Sequence, residues 1–268
     1  MLLKHFFILL LLGSFLCNPA LAQILNVEKS RLSSDSANYF VGKLGLSFNA
    51  NNQSINSDGE TVAFIGLNTN SDLGYISEHH SFLLLSLFNY TATSQEAINS
   101  TGYGHFRVNF VRKEKLSYET FAQLQYDQGR GMQVRWLSGG SLRYNFFDGE
   151  EVTMHFGVGG MYEEEVWNLP EELEGQRSIG LWKSTNYVSS RITFNEYVNL
   201  NIITYYQTGY DFDRDFFRHR INADMNFSVR VGSSIAVTTA IFGAYENRPV
   251  VPISKFVYSI SNGVIISF

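Results

Sequence analysis

Two histidines stand next to a serine at His79, His80 and Ser81, a combination of residue types that nucleophilic hydrolysis can use. That chemistry needs the hydroxyl and the imidazole within hydrogen-bond reach, together with a third group that orients the imidazole. Neighbouring residues of a strand point to opposite faces, and the local sequence does not bring three such groups together. We therefore expect a polar turn at this position and predict no catalytic residue here.

Three aspartates and a histidine lie close together at Asp211, Asp213, Asp215 and His219. Acid–histidine hydrolysis and calcium binding are the two chemistries that these residue types suggest. The segment lacks the glycine and the distal glutamate of an EF-hand loop, and such a charged run is typical of a solvated loop. The sequence shows no zinc-ligand spacing and no phosphate-cradling glycine motif. We expect no enzymatic activity, no metal and no cofactor.

Polar residues recur at every second position along parts of the chain, most regularly over residues 217–230. One face of this segment carries Phe217, His219, Ile221, Ala223, Met225, Phe227 and Val229. The other face carries Arg218, Arg220, Asn222, Asp224, Asn226, Ser228 and Arg230. An α-helix would scatter both sets around its circumference, whereas a β-strand separates them. The segment is therefore predicted to be a strand with one polar face.

Alternating runs of this kind, each followed by a polar turn, predict an all-β protein of about twelve strands. The predicted strands are 38–49, 60–76, 81–93, 101–112, 116–126, 133–147, 150–162, 181–193, 197–210, 216–229, 234–246 and 255–268. The pattern is typical of a transmembrane antiparallel up-and-down β-barrel, in which strands face lipid on one side and a lumen on the other. Residues 82–88 are apolar on both faces, so ten and fourteen strands are alternatives.

The connections between the predicted strands alternate in length, which predicts their orientation. Short turns belong on the periplasmic side of an outer-membrane barrel and longer loops on the outside. The short ones lie near 77–80, 113–115, 148–149, 194–196 and 230–233. The longer ones lie near 50–59, 94–100, 127–132, 163–180, 211–215 and 247–254. An even strand number then places both termini in the periplasm.

The first 22 residues have the layout of a cleavable signal peptide. Lys4 supplies the positive start, residues 6–16 are apolar, and Ala20, Leu21 and Ala22 resemble a cleavage site. The apolar run is shorter than the roughly 18–20 residues that a transmembrane helix needs, which disfavours a membrane anchor. Export to the cell outer membrane is therefore expected.

Cys17, the single cysteine, lies within the predicted signal peptide. Bulky residues precede it, which disfavours a lipid-attachment site, and its removal leaves no disulfide framework. Residues 23–37 would form a periplasmic N-terminal segment, and residues 38–268 the barrel. The chain ends at Phe268, and a terminal Phe on an apolar strand face resembles the signal that the barrel-assembly machinery reads.

The composition excludes two further classes of protein. A mean hydropathy of −0.09 argues against a helical membrane protein. The formal charge of −5 becomes −6 when Lys4 is removed, so no nucleic-acid partner is expected.

The alternation places the charged residues of the fourth to tenth predicted strands inside the barrel, since an outward Arg or Lys at the bilayer midplane costs about 2–4 kcal/mol. The basic residues so placed are Arg107, Arg135, Arg143, Lys183, Arg191, Arg218, Arg220 and Arg230. The acidic residues so placed are Glu119, Asp127, Glu151, Glu163 and Asp224. The lumen is therefore expected to be polar and to lean basic.

Two interpretations of such a lumen are open. It could be a small anion-preferring pore or ligand cavity, or a packed interior in which Arg and Glu pair to brace the wall. Side chains just fill the interior of an eight-stranded barrel, and a sixteen-stranded barrel leaves a channel. A twelve-stranded barrel falls between these two cases. If the turn after the fourth strand is centred near Lys113, Arg107 lies opposite Glu119 and the two form an ion pair.

The middle of the chain resembles a family of salt-induced outer-membrane proteins that is catalogued as a domain of unknown function. The residues that carry the resemblance are His105-Phe106-Arg107-Val108-Asn109, Glu119 to Gln125, Arg135-Trp136-Leu137-Ser138-Gly139 with Arg143, Met161-Tyr162-Glu163 and Asn26 to Arg31. The resemblance is clearest over residues 26–167. It implies an outer-membrane barrel of unsettled role and supplies no catalytic residue.

The polar residues of this region and the later inward positions define a predicted lumen-facing polar cluster. Its members are His105, Arg107, Asn109, Glu119, Gln123, Gln125, Arg135, Arg143, His155, Glu163, Arg191, Arg218, Arg220 and Asp224.

The expected function is a non-enzymatic narrow pore or an envelope-stability protein. An outer-membrane hydrolase acting on lipid or peptide and a soluble periplasmic β-protein are the alternatives. The expected partners are outer-membrane lipid, the barrel-assembly machinery and a small anionic solute.

Overall fold

A computed structural model describes residues 38–55, 61–94, 97–169, 175–232 and 235–266. The predicted signal peptide, the N-terminal segment 23–37 and the terminal Phe268 lie outside the described residues. Each of the twelve predicted strands is present within them, although several ends differ from the prediction.

The strands form one antiparallel sheet in sequence order, in which each strand pairs with its neighbours along the chain. They are β1 (Tyr39–Ile55), β2 (Thr61–Ile76), β3 (Ser81–Thr93), β4 (Ala97–Phe110), β5 (Leu116–Asp127), β6 (Met132–Asp148), β7 (Val152–Asn168), β8 (Gln176–Thr193), β9 (Val198–Asp211), β10 (Phe216–Arg230), β11 (Ile235–Glu246) and β12 (Phe256–Ile266). The prediction of an all-β, antiparallel, up-and-down fold is confirmed.

Helical structure in the described part of the chain is confined to a short turn at Gln128–Arg130 between β5 and β6. Asp127 caps this turn by accepting a hydrogen bond from the backbone N–H of Arg130 at 3.2 Å. No helix among the described residues is long and apolar enough to cross a membrane.

The sheet is rolled, because side chains of distant strands meet across its concave face. Arg107 on β4 donates a hydrogen bond from Nη2 to the hydroxyl of Tyr205 on β9 at 3.2 Å. The hydroxyl of Tyr187 on β8 donates to Oε2 of Glu119 on β5 at 2.9 Å. Within the described residues β12 makes no pairing with β1. The structure therefore shows a rolled sheet that hydrogen bonds do not close.

The two faces of the sheet differ as the period of two requires. Successive residues of β7 from Met161 to Trp167 alternate between buried and half-buried positions. The outward face is rich in exposed large apolar side chains, among them Phe40, Leu44, Leu84, Leu124, Leu142, Val158, Val188, Ile221 and Ile260. Among the described strands Glu164 is the one Asp, Glu, Lys or Arg residue at an outward position. The polar and apolar faces are therefore separated as predicted.

The predicted loop over 163–180 is wrong, because β7 continues to Asn168 and β8 begins at Gln176. Glu165, which falls in the predicted loop, lies on the concave face together with the predicted lumen residue Glu163, and both pair with cations of other strands. A strand can carry acidic residues at this density when one face of the sheet supplies partners for them.

The predicted register of β4 and β5 is also wrong. Asn109, not Arg107, lies opposite Glu119, and Arg107 lies opposite Phe121. The turn is centred one residue later than Lys113, with Val111 in the left-handed region at a φ of 47°. Moving the centre of an antiparallel turn by one residue shifts the pairing by two. Arg107 still contacts Glu119 diagonally, with Nη1 at 3.9 Å from Oε1.

Candidate interior site

The structure places the predicted lumen-facing polar cluster on the concave face of the sheet. Ten of its members are buried: His105, Arg107, Asn109, Glu119, Arg135, Arg143, Glu163, Arg218, Arg220 and Asp224. Four are half-buried: Gln123, Gln125, His155 and Arg191. The cluster is not one site, because its members divide between a network of ion pairs near the loop end of the sheet and a smaller group in the middle.

Seven charged residues from five strands form what we call the ionic network. They are Arg135 on β6, Glu163 and Glu165 on β7, Lys183 on β8, Arg218 and Arg220 on β10, and Glu246 on β11. The two glutamates on β7 are two residues apart, and so are the two arginines on β10. Because residues i and i+2 of a strand share a face, both pairs point into the rolled sheet and meet there.

Glu163 is one of two carboxylates in the ionic network that each pair with three cations. It forms salt bridges with Arg135 and Lys183, and its Oε2 accepts a hydrogen bond from Nη1 of Arg220 at 2.9 Å. Three cations around one buried carboxylate compensate for the water that burial removes from it. Loss of the Glu163 charge would leave those cations facing one another.

Glu165 forms a second centre of ion pairs beside Glu163. Its Oε1 lies 2.7 Å from Nη2 of Arg220, and its Oε2 accepts from Nη2 of Arg218 at 3.3 Å. The indole N–H of Trp167 also donates to Oε2, at 3.1 Å. Glu246 then joins both arginines, with its Oε2 at 3.0 Å from Nη2 of Arg220. The arrangement cross-links strands that are not neighbours in the sheet.

A chain of amide hydrogen bonds leads from the ionic network to the middle of the interior. Nη1 of Arg135 donates to Oε1 of Gln125 at 3.3 Å, and Nε2 of Gln123 donates to the same oxygen at 3.0 Å. Nδ1 of His105 donates to Oε1 of Gln123 at 2.9 Å. These contacts fix the glutamines, which leaves the interior polar but ordered.

Glu119 is the centre of the middle group. Its Oε2 accepts from the hydroxyls of Ser141 and Tyr187, both at 2.9 Å, while Oε1 lies 3.9 Å from Nη1 of both Arg107 and Arg143. Tyr187 reaches across the interior by lying over a glycine of β7. A Cβ built on Gly157 would lie 2.0 Å from Cε1 of the Tyr187 ring. The glycine is therefore needed for this contact.

An apolar cap covers the ionic network at the loop end of the sheet. Val250 and Val251, from the segment between β11 and β12, are buried against Met132, Trp167, Ile179 and Leu181. The carbonyl oxygen of Val250 accepts from Nη1 of Arg177 at 3.4 Å, and that of Arg248 accepts from Nε of Arg218 at 3.3 Å. The cap and the network together fill this end of the interior.

Two small cavities are left among these side chains. One of about 40 Å³ lies in the middle of the interior, between Glu119 and Gln207. The other, of about 60 Å³, lies beside the ionic network and reaches Lys255 at the rim. A water molecule needs roughly 10–15 Å³ measured in this way, so each cavity is large enough for a few waters.

The expectation of a basic-leaning interior is wrong for the buried residues that the structure describes. Six buried basic residues face six buried acidic ones: Arg107, Arg135, Arg143, Lys183, Arg218 and Arg220 against Glu119, Asp127, Glu163, Glu165, Asp211 and Asp224. Arg230 is exposed at the end of its strand, and Glu151 is exposed in the turn before β7. The sequence count also missed Glu165, because three consecutive glutamates at 163–165 interrupt the alternation of polar and apolar residues.

The two combinations of residues that suggested catalysis are not assembled for it in the described residues. Nδ1 of His80 accepts from the backbone N–H of Val111 at 3.2 Å, and the hydroxyl of Ser81 accepts from Asn109 at 3.1 Å. Nδ1 of His219 lies 2.9 Å from the hydroxyl of Tyr206 and 3.0 Å from that of Thr208.

The aspartates near His219 have other partners. Asp215 accepts a hydrogen bond from Tyr210, and Oδ2 of Asp211 lies 3.8 Å from Nη1 of Arg214. Nowhere in the described ranges do three or more His, Cys, Asp or Glu side chains gather as they would around a metal ion.

No protein-family model and no curated protein matches the chain. The resemblance to the salt-induced outer-membrane family therefore stays a prediction, and the argument for function rests on the fold and the interior.

Proposed function

We propose that the chain is an outer-membrane β-barrel whose first and last strands complete the ring, and that it belongs to the family it resembles. Two features support this. The sheet is already rolled far enough for β4 to contact β9 and for β5 to contact β8. Its outward face carries exposed large apolar side chains on each of the twelve strands, which suits lipid but would be costly in water.

Aromatic residues on the outward face support the same proposal. Trp136, Tyr162 and Trp182 stand side by side near the loop end, with ring centroids 5.3 Å apart in both contacts. Tyr118 and Tyr144 are exposed near the turn end. Trp136 and Tyr144 are eight residues apart on β6, about 26 Å along an extended strand and about 20 Å across a bilayer at a tilt of about 40°. Aromatic belts flank an apolar band of similar height in outer-membrane barrels.

The role that the interior supports best is that of a sealed, non-enzymatic envelope protein, which braces the outer membrane rather than conducting through it. The ionic network carries this proposal, because seven side chains from five strands occupy the loop end of the interior and tie β6 to β10 and β11. The apolar cap closes the same end. On this proposal the signal peptide is cleaved, both termini are periplasmic, and outer-membrane lipid and the barrel-assembly machinery are the partners.

Planar-bilayer recordings test the sealed interior. We expect refolded protein to give no conductance steps under conditions in which a general porin gives them. A Val250→Asp, Val251→Asp double variant should weaken the apolar cap, and it should still conduct little because the ionic network lies beneath the cap. Regular steps from the native protein would contradict a sealed interior and revive the narrow pore, with a small anionic solute as its cargo. The hydrolase alternative stays a prediction that no contact in the described residues favours.

A further inference from the structure

The cavity beside the ionic network has more positive than negative side chains around it. Arg130, Arg135, Arg220 and Lys255 line it, against the carboxylates of Glu165 and Glu246. The carboxylates already form ion pairs with Arg220. No salt bridge of Arg130 or Lys255 is present in the part of the chain that the structure describes. The cavity therefore has positive charge that these carboxylates do not balance.

The excess of positive over negative charge remains when the neighbouring charged side chains are counted. Around the network and its cavity the described residues include six cations and four carboxylates: Arg130, Arg135, Lys183, Arg218, Arg220 and Lys255 against Asp127, Glu163, Glu165 and Glu246. The buried charges of the whole interior are balanced. The excess of two comes from the half-buried Arg130 and the exposed Lys255 at the mouth of the cavity, where an anion would meet two cations without a salt-bridge partner among the described residues.

An unpaired hydrogen-bond donor at the cavity wall also indicates an anion as the ligand. Asn222 lies on the cavity wall and is only 2% exposed, yet its Nδ2 has no hydrogen-bond partner among the described residues. Nη1 of the buried Arg218 also has none there, but Arg218 does not line the cavity, so Asn222 is the donor that an anion in the cavity would reach. An unsatisfied buried donor is costly, and a bound anion would satisfy it.

We propose that this cavity binds one small inorganic anion, such as chloride or phosphate, between Asn222 and the cations at its wall. The volume of about 60 Å³ admits an ion of that size and excludes a large organic anion. The anion acts as the missing counter-charge of the ionic network. The anion site requires the rolled sheet but not a sealed lumen. The anion proposal can therefore be wrong while the non-conducting role is right, and the non-conducting role can be wrong while the anion site exists.

The thermal unfolding midpoint of the refolded full-length chain in detergent micelles tests the site. Sodium chloride and sodium phosphate are compared with sodium gluconate at matched ionic strength and pH. We expect a saturable rise of the midpoint in chloride and in phosphate, but not in gluconate. A ligand that binds only the folded state stabilises it in proportion to its occupancy. Equal midpoints in all three salts would overturn the proposal.

Two variants and one control make the test specific. Asn222→Asp supplies the missing negative charge within the chain, so we expect it to lose the anion dependence and to be as stable in gluconate as the native protein is in chloride. Lys255→Gln at the exposed rim should weaken the apparent affinity about three- to fivefold. Lys115→Gln, which removes a cation that lies over the Tyr144 ring at the turn end, should change nothing. An anion shift that survives in Asn222→Asp would overturn the proposal.

Discussion

At the scale of single residues, Glu163 shows how the interior is held together. Its carboxylate is 1% exposed and is shared by Arg135, Lys183 and Arg220. Its neighbour in sequence, Glu164, points outward near the end of β7 and has none of these partners. The two residues have the same chemistry and differ only in the face of the strand they occupy, which makes them a matched pair.

We predict that Glu163→Gln lowers the free energy of unfolding by about 3–5 kcal/mol, because it leaves three buried cations with too few counter-charges. Glu164→Gln should change it by less than about 0.5 kcal/mol, because Glu164 lies on the outward face, away from the buried ion pairs. Urea unfolding in micelles, followed by tryptophan fluorescence, measures both. Equal effects of the two variants would contradict the assignment of faces in β7.

Tyr187 tests the middle group of the interior in the same way. We expect Tyr187→Phe to cost about 1.5–3 kcal/mol, because its hydroxyl donates to a buried carboxylate. Tyr118→Phe removes a hydroxyl from the exposed face of β5 and should be nearly neutral. The same unfolding assay compares them, and a neutral Tyr187→Phe would mean that Glu119 does not depend on this contact.

At the scale of elements, the pairing of β6 with β7 depends on close approach at Gly159. A Cβ on this residue would lie 2.2 Å from the carbonyl oxygen of Gly140 and 2.6 Å from the Cβ of Ser141. Both are fixed parts of the neighbouring strand rather than the ends of flexible side chains. At the adjacent Gly160 the nearest atom, the carbonyl oxygen of Lys183, is 3.9 Å away.

Gly159→Ala should therefore destabilise the fold by about 1–3 kcal/mol, the range for an overpacked interior. Gly160→Ala should be tolerated, because its Cβ meets only ordinary contacts. Urea unfolding again provides the measurement. If Gly160→Ala proved the more damaging of the two, the register of β6 and β7 would have to shift by one residue.

The strands were predictable from the sequence because the period of two survives wherever one face is polar. β3 lacks this polar face, because residues 82–88 are apolar on both sides, and the sequence leaves its division open; in the structure Leu83 and Leu85 are buried and Leu84 is exposed. The details that failed depend on information outside the local pattern. The extension of β7 past Glu163 needed knowledge of the arginines that Glu165 would meet, and the β4–β5 register depended on one backbone conformation at Val111.

The interior was predictable in composition but not in arrangement. The alternation identified Arg135, Arg218 and Arg220 as inward residues, but it could not say that they converge on Glu163 and Glu165. Convergence of β7 with β10 is a consequence of how the whole sheet rolls, and no pairing pattern within a strand encodes it. The apolar cap by Val250 and Val251 was missed for a related reason, since a loop has no period that shows where it folds.

At the scale of the whole molecule, the apolar outward face makes a depth-dependent prediction. Phe106 on β4 is exposed, and it pairs with a residue of β5 that lies between Tyr118 and the partner of Trp136. In a bilayer, Phe106→Arg should cost about 2–4 kcal/mol, whereas Glu164→Arg, opposite Trp136, should cost about 0–1 kcal/mol. Refolding equilibria in phospholipid bilayers measure both variants. Similar costs at the two positions would argue that the face is not in contact with lipid.

The central claim is that this chain is a closed β-barrel in the outer membrane, and electrophoresis of fractionated cell envelopes tests it most directly. A closed barrel keeps its compact shape in cold detergent and unfolds on boiling, so its migration depends on heating. We predict that the protein is found in the outer-membrane fraction, without residues 1–22, and migrates faster unheated than boiled. Recovery in the soluble periplasmic fraction, with one migration position at both temperatures, would contradict the account.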